Sequence, residues 1–196
     1  MNYLEHVGKY FLMLKQVFKR PQKRSVFGAA LFREIEDLGL KSIGIVAFIS
    51  FFVGGVVSIQ TALNVESPLI PKSLIGFATK RSMILEFAPT FASIILAGKV
   101  GSFITSSIGT MRVTEQIDAL EVMGINSLNY LVLPKILAAL LFYPLLVFLA
   151  IFLGIFGGWV AGVLTDLFHS LDYITGIQMD FDPFLIKYAF IKSVVF

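Results

Sequence analysis

The 196-residue sequence contains no cysteine, which excludes a disulfide framework and thiolate chemistry and leaves the redox compartment undetermined. Histidine is nearly absent: His6 and His169 stand alone, which excludes a histidine-rich metal site. Charge is scarce, with Asp, Glu, Lys and Arg making up 15% of the chain, against roughly 25% in ordinary soluble domains. The pattern G-x-x-x-x-G-K-[ST] does not occur, so no P-loop binds a nucleotide. Catalytic constellations are missing too: there is no Ser beside a plausible histidine base, no H-E-x-x-H and no carboxylate pair for a soluble cleft. A transport or binding role is expected, not catalysis by this chain.

What remains is apolar. Hydrophobic residues make up 57% of the chain, including 20 Phe, with 16 Gly interspersed. This composition suits lipid-facing helices that also need close backbone contact, so an all-α integral membrane protein is expected. Half of the 16 Lys and Arg fall within residues 1–41, which predicts a cytoplasmic N-terminus. The short apolar patch near Tyr10 is interrupted by Lys15 and Lys19 and lacks a small-residue cleavage site, a poor fit to a signal peptide. The basic end carries no nucleic-acid motif, and anionic membrane lipid explains it better.

Along residues 3–20, Leu4, Val7, Phe11, Leu14 and Phe18 recur at helical spacing with Lys9, Lys15 and Lys19 elsewhere. An amphipathic helix on the bilayer surface, stopped near Pro21, is expected. Residues 40–63 form the first span, long enough for a ~30 Å hydrocarbon core. A polar connection over 64–82 contains Pro68, Pro71, Lys72, Lys80 and Arg81. Residues 83–108 form the second span and 128–168 a third apolar stretch. The third is twice the needed length, so it is either a hairpin around Gly154 to Gly158 or one long helix bent at Pro144. Between Lys135 and Lys187 there is no Lys or Arg, while Asp166, Asp172, Asp180 and Asp182 are present. That asymmetry favours one crossing with the acidic loop outside. Residues 185–196 read as the start of a fourth span, so a fragment of a longer protein is expected.

Between spans two and three lies GTMRVTEQIDALEVMGIN, residues 109–126, with Arg112, Glu115, Asp118 and Glu121. On a helical wheel Val113, Ile117 and Leu120 share an arc, Met123 borders it, and the acidic residues fall on another. A helix of about three turns over 112–124 is expected, ended by Gly124 in the left-handed conformation, with Asn126 or Ser127 capping the next helix. Two crossings after a cytoplasmic N-terminus, it is cytoplasmic. It either transmits the movement of a soluble motor or shields the ends of the bundle; the pattern does not choose.

This segment, followed by YLVLPKILA, resembles the signature of the MlaE/YrbE family, the permease subunits of ABC transporters associated with MCE proteins. EFAPTFASIILAGKVGS resembles the family's E-x-x-P and A-G-[RK]-x-G pattern on the second span, and IKSVVF its next span. The resemblance implies a single, partial permease domain over 1–196, in which five spans and an interfacial helix would form the whole fold. It implies a homodimer in the bacterial inner membrane, working with an ABC ATPase subunit that binds ATP and Mg and with an MCE-domain lipid-binding protein. It also makes 112–124 a coupling helix whose ATPase-facing residues are Val113, Glu115, Gln116, Ile117, Asp118, Leu120, Glu121, Met123 and Gly124.

Two charges fall inside the second span. Glu86, three residues before Pro89, is either hydrated at the headgroup level or part of a substrate cavity. The resemblance favours the cavity for Glu86 and Pro89, although Leu85 stands where many relatives have Arg. Lys99 is either snorkelling to the interface or paired with a lipid phosphate, which keeps it a third cavity candidate. Gly98, Gly101, Ser102 and Ser106 form a small-residue face suited to tight packing or a dimer seam. The expected cargo is a phospholipid or similar amphiphile. Other readings are an ion-coupled secondary transporter and a membrane scaffold that recruits a cytosolic partner.

Overall fold

A long apolar sequence can satisfy its backbone away from water only within helices or closed barrels. The computed structural model, which describes residues 3–18, 24–65, 70–180 and 182–195, takes the helical solution; no strand occurs among these residues. Among the described residues nine α-helices follow in order: α1 Tyr3–Val17, α2 Arg24–Glu34, α3 Lys41–Asn64, α4 Ser73–Ser82, α5 Ala88–Val113, α6 Gln116–Val122, α7 Ser127–Thr165, α8 Ser170–Gln178 and α9 Pro183–Val195. Two π-helical segments, Ile35–Leu40 and Met83–Phe87, join α2 to α3 and α4 to α5. Among the described residues three continuous helical stretches, Phe27–Asn64, Ser73–Val113 and Ser127–Thr165, are long and apolar enough to cross a membrane. The expected helix stop at Pro21, the basic residues Lys19, Arg20 and Lys23, the loop residue Pro68 and the terminal Phe196 lie outside the described residues.

Several boundaries differ from the sequence reading. Half of the 64–82 connection is helix α4, which runs directly into the second span. Polar residues and Pro71 disguised it, yet Pro71 stands before the first turn, where a proline costs no hydrogen bond. The acidic loop contains α8. Its acidic residues act locally: Asp166 and Asp180 adopt positive φ just beyond α7 and α8. Asp182 accepts a hydrogen bond from the Phe184 amide at 2.9 Å and caps α9, which opens on Pro183. The third apolar stretch is one helix, α7, with no turn at Gly154 to Gly158.

Two compact units make up the chain, one of Met1–Lys41 and Gly98–Phe142, the other of Ser42–Ala97 and Tyr143–Phe196. In the first, Val17, Leu38, Leu133 and Ala138 are buried, and Gly39 lies against the Phe142 ring. The second unit is built on a crossing of α3 and α7. Ser42, Val46, Ser50, Gly54, Ser58 and Ala62 are buried at every fourth position of α3. Phe48, Phe52 and Val56 are exposed on the same helix, as lipid-facing residues should be. A Cβ at Gly54 would fall 1.8 Å from the Gly154 carbonyl oxygen, and one at Gly157 would fall 2.0 Å from that of Phe51. The two backbones touch, as small residues allow in membranes.

At one end of this unit α4 packs against α8. A Cβ at Gly176 would meet the Ser73 carbonyl oxygen at 1.9 Å. Lys80, buried on α4, donates to the carbonyl oxygens of Met179 at 2.6 Å and Asp180 at 3.3 Å, closing the C-terminal end of α8. Tyr173 of α8 is fully buried and donates to the Ile155 carbonyl oxygen at 3.1 Å. Trp159 packs with Ala62, Ile75, Phe168 and Tyr173.

Candidate functional site

The charged segment between α5 and α7 is not one three-turn helix. The α5 helix runs on to Val113, and Glu115 then takes a left-handed conformation, φ 56° and ψ 14°. Only Gln116–Val122, about two turns, forms the separate helix α6. The wheel therefore fails at Val113, which belongs to the preceding helix. Ile117 and Leu120 are half-buried, whereas Val113 and Val122 are 85% and 89% exposed and Met123 is exposed beside them. Glu115, Gln116, Asp118 and Glu121 are exposed as well. A salt bridge of 2.7 Å between Arg112 and Asp118 spans the break.

Beyond α6 the chain reverses through Gly124, whose φ of 73° is the left-handed conformation expected from the sequence. The Asn126 side chain accepts a hydrogen bond from the Asn129 amide at 3.3 Å and caps α7. Ser127 donates to Glu121 at 3.0 Å. The amide nitrogens of Asn126 and Asn129 donate to the carbonyl oxygens of Gln16 and Val17, at 3.3 and 2.6 Å. The joint between α6 and α7 is thereby tied to the last turn of α1. Val7 and Phe11 of α1, and Phe18 just past its end, are exposed, an apolar face with Lys9 and Lys15 exposed elsewhere on the helix. Leu14 of the expected apolar stripe is half-buried, and the neighbouring Val17 is fully buried.

Glu86 lies in the π-helical segment Met83–Phe87, exposed and without an ion pair among the described residues. Pro89 follows in the first turn of α5 and is buried. Its carbonyl oxygen accepts from Ser93 Oγ at 2.5 Å, and the Tyr143 hydroxyl lies 3.3 Å from it. Ser93 and Tyr143 are also hydrogen-bonded to each other. On the same segment the Leu85 carbonyl oxygen accepts from Lys192 of α9 at 2.9 Å.

Lys99 belongs to the other unit. Its ammonium donates to the backbone carbonyl of Lys41 at the start of α3, and Lys41 itself pairs with Asp37. This is the anchoring that a long basic side chain makes at a helix end. Gly98 and Gly101 would meet nothing within 4 Å if given a Cβ, and Ser102 and Ser106 are exposed, so this face makes no tight contact among the described residues. The tight seam is Gly54 against Gly154 and Gly157 against the Phe51 backbone.

The structure thus gathers Ile117, Leu120, Glu121 and Gly124 around one joint, and Glu86 with Pro89 around another. Sequence reasoning passed over Ser93, Tyr143 and Lys192 at the second joint. A proline within an apolar span was the available signal, because the carbonyl it frees needs a donor from elsewhere. It also passed over Asn129 at the first, and the pair of Lys135 with Glu34 farther along α7.

A family model described as Permease MlaE matches residues 31–196. A probable ABC transporter permease protein of Rickettsia bellii is 31% identical over 192 residues, 98% of this chain and 74% of that protein. A similarly named protein of Rickettsia prowazekii is 31% identical over 186 residues, 95% of this chain and 70% of its own length. The intermembrane phospholipid transport system permease protein MlaE of Haemophilus influenzae is 30% identical over 153 residues, 78% of this chain and 58% of that protein.

Proposed function

The chain belongs to the MlaE permease family of ABC transporters, and on that premise we propose that it conducts a phospholipid or similar amphiphile between the bacterial inner membrane and a periplasmic MCE-domain partner. A separate ATPase subunit binds ATP with Mg and drives the cycle; this chain contributes no nucleotide site of its own. Two copies of the permease enclose the lipid path. The basic N-terminus lies in the cytoplasm, with α1 on the membrane surface and α6 facing the ATPase.

The observation that carries this reading is the form of the α5–α6–α7 joint. A two-turn helix with exposed Val122 and Met123, offset from α5 by the left-handed Glu115, projects between two membrane-length helices. A groove in a motor subunit can take hold of such a projection, and the bonds from Asn126 and Asn129 pass a push on to α1 and α7. Glu86 and Pro89 contribute to the cavity wall. Lys99, held by a backbone carbonyl, anchors its helix and does not touch the lipid.

Purification of the full-length protein from its native membrane in mild detergent, with mass spectrometry of the complex, tests the assignment. A P-loop ATPase and an MCE-domain protein are expected to co-purify. Their absence from an otherwise intact complex, with lipid movement driven by an ion gradient alone, would replace this reading with a secondary transporter.

A further inference from the structure

Pro89 has no N–H, and the Ala88 amide just before it reaches back five residues to Met83, so neither the Ile84 nor the Leu85 carbonyl, five and four residues before Pro89, receives a bond from it. Within an apolar span such a carbonyl needs a partner from another element. Lys192 of α9 provides one, its Nζ donating to the Leu85 oxygen at 2.9 Å while lying 5.9 Å from the Tyr188 ring centre. The contact is seated by packing, since Leu185 and Ala189 of α9 are buried against Ile84, with Leu85 and Ile151 around them. The affected stretch is the π-helical segment Met83–Phe87, a geometry that marks functional sites more often than chance. Its far end is held by Met83, whose side chain lies against Gly154 of α7. Glu86 is the residue next to Leu85 and remains exposed.

We propose that Lys192 is a positioning residue: its ammonium supplies the backbone donor that Pro89 lacks, and so fixes the π-helical segment that presents Glu86. The importance of Glu86 to transport rests on the reading above, but the pin itself does not. In this contact Lys192 bonds a neutral carbonyl, so what the contact asks of it is a donor. The proline at 89 is the second condition, since an N–H there could serve the Leu85 carbonyl in place of Lys192.

Both conditions can be tested in the full-length permease within its complex. A double-mutant cycle of Lys192→Met and Pro89→Ala, read by thermal unfolding and by ATP-driven transfer of phospholipid between vesicles, isolates the pin. Lys192→Met alone should lower the unfolding midpoint by about 4 °C, the scale expected for losing a charged hydrogen bond. In the Pro89→Ala background, where residue 89 again has an N–H, the same change should have little effect on the midpoint. Lys192→Gln, a neutral donor, should recover most of the loss. If Lys192→Met fails to assemble, recovery of assembly by Pro89→Ala is the equivalent supporting result. An equal loss with and without Pro89, or rescue by Lys192→Arg but not by Lys192→Gln, would overturn the proposal, the latter making Lys192 a cation for an anionic group. Coupling in the midpoint with unchanged transport in every variant would uphold the pin and sink the cavity role given to Glu86.

Discussion

Lys135 donates a hydrogen bond to Glu34 at 2.6 Å, with only 3% of the lysine side chain exposed. The pair joins the end of α2 to α7 in the first unit, and the ammonium lies 5.3 Å from the centre of the Phe103 ring. The second carboxylate oxygen of Glu34 is buried without a partner among the described residues. Removing one member of a buried pair strands the other charge, so Lys135→Met should cost about 3–5 kcal/mol. Replacing both residues by Met should recover most of that. Denaturation of the full-length protein in detergent measures both. A single variant as stable as the double one would refute the account.

The two sets of glycines should respond oppositely to a methyl group. At Gly54 the methyl would meet a carbonyl oxygen that cannot turn aside, so Gly54→Ala should push α3 from α7 and cost on the order of 3 kcal/mol or prevent accumulation in the membrane. At Gly101 the same change meets nothing and should gain up to about 1 kcal/mol from helix propensity. Membrane yield and oligomeric state report both. Loss of the proposed dimer in Gly101→Ala would identify the open face of α5 as its seam.

On α6, exposed and half-buried residues should separate recognition from stability. Val122→Asp with Met123→Asp should leave the permease folded and abolish its stimulation of the ATPase. Ile117→Ala or Leu120→Ala should lower stability by about 1–2 kcal/mol, as partial burial implies. ATPase assays on reconstituted complexes decide it, and full coupling in the Val122/Met123 variant would remove α6 from the drive.

Burial pushes the Tyr173 phenol above its ordinary value. An acid with a raised folded value stabilises the fold below its unfolded value, near pH 10, and loses that contribution as pH rises towards the folded one. The α4–α8 pair should therefore loosen above about pH 10. Tyr173→Phe should remove this alkaline step while costing about 1 kcal/mol at neutral pH through the lost bond to Ile155. Amide exchange in α4 and α8 across that pH range is the measurement.

The membrane class, the apolar stretches and the left-handed Gly124 were legible because each depends on local composition or on one residue's backbone freedom. The charged segment was legible as an amphipathic helix but not in its length. A wheel assumes an unbroken helix, and Glu115 breaks it in a conformation that a glutamate seldom adopts. Lys80, Asp166 and Asp182 read as loop charges that report topology, whereas Asp166 turns the chain just past α7, Asp182 caps α9 locally, and Lys80 closes the end of α8 through a contact that only folding brings together. The small-residue seam was sought on α5, where glycines and serines cluster within a few residues. It formed on α3 and α7, where the partners are about 100 residues apart and no single window of sequence holds both.

Because the α3 and α7 backbones touch where Gly54 meets Gly154 and Phe51 meets Gly157, no layer of side chains lies there to act as a bearing. Sliding one helix along the other would drive a carbonyl or a neighbouring side chain into the contact, so shear is blocked. These stretches of α3 and α7 must travel as one rod through any cycle of opening and closing. Whatever widens the proposed lipid path has to bend the chain elsewhere, and the π-helical segment that leads into Pro89 is a place where it can.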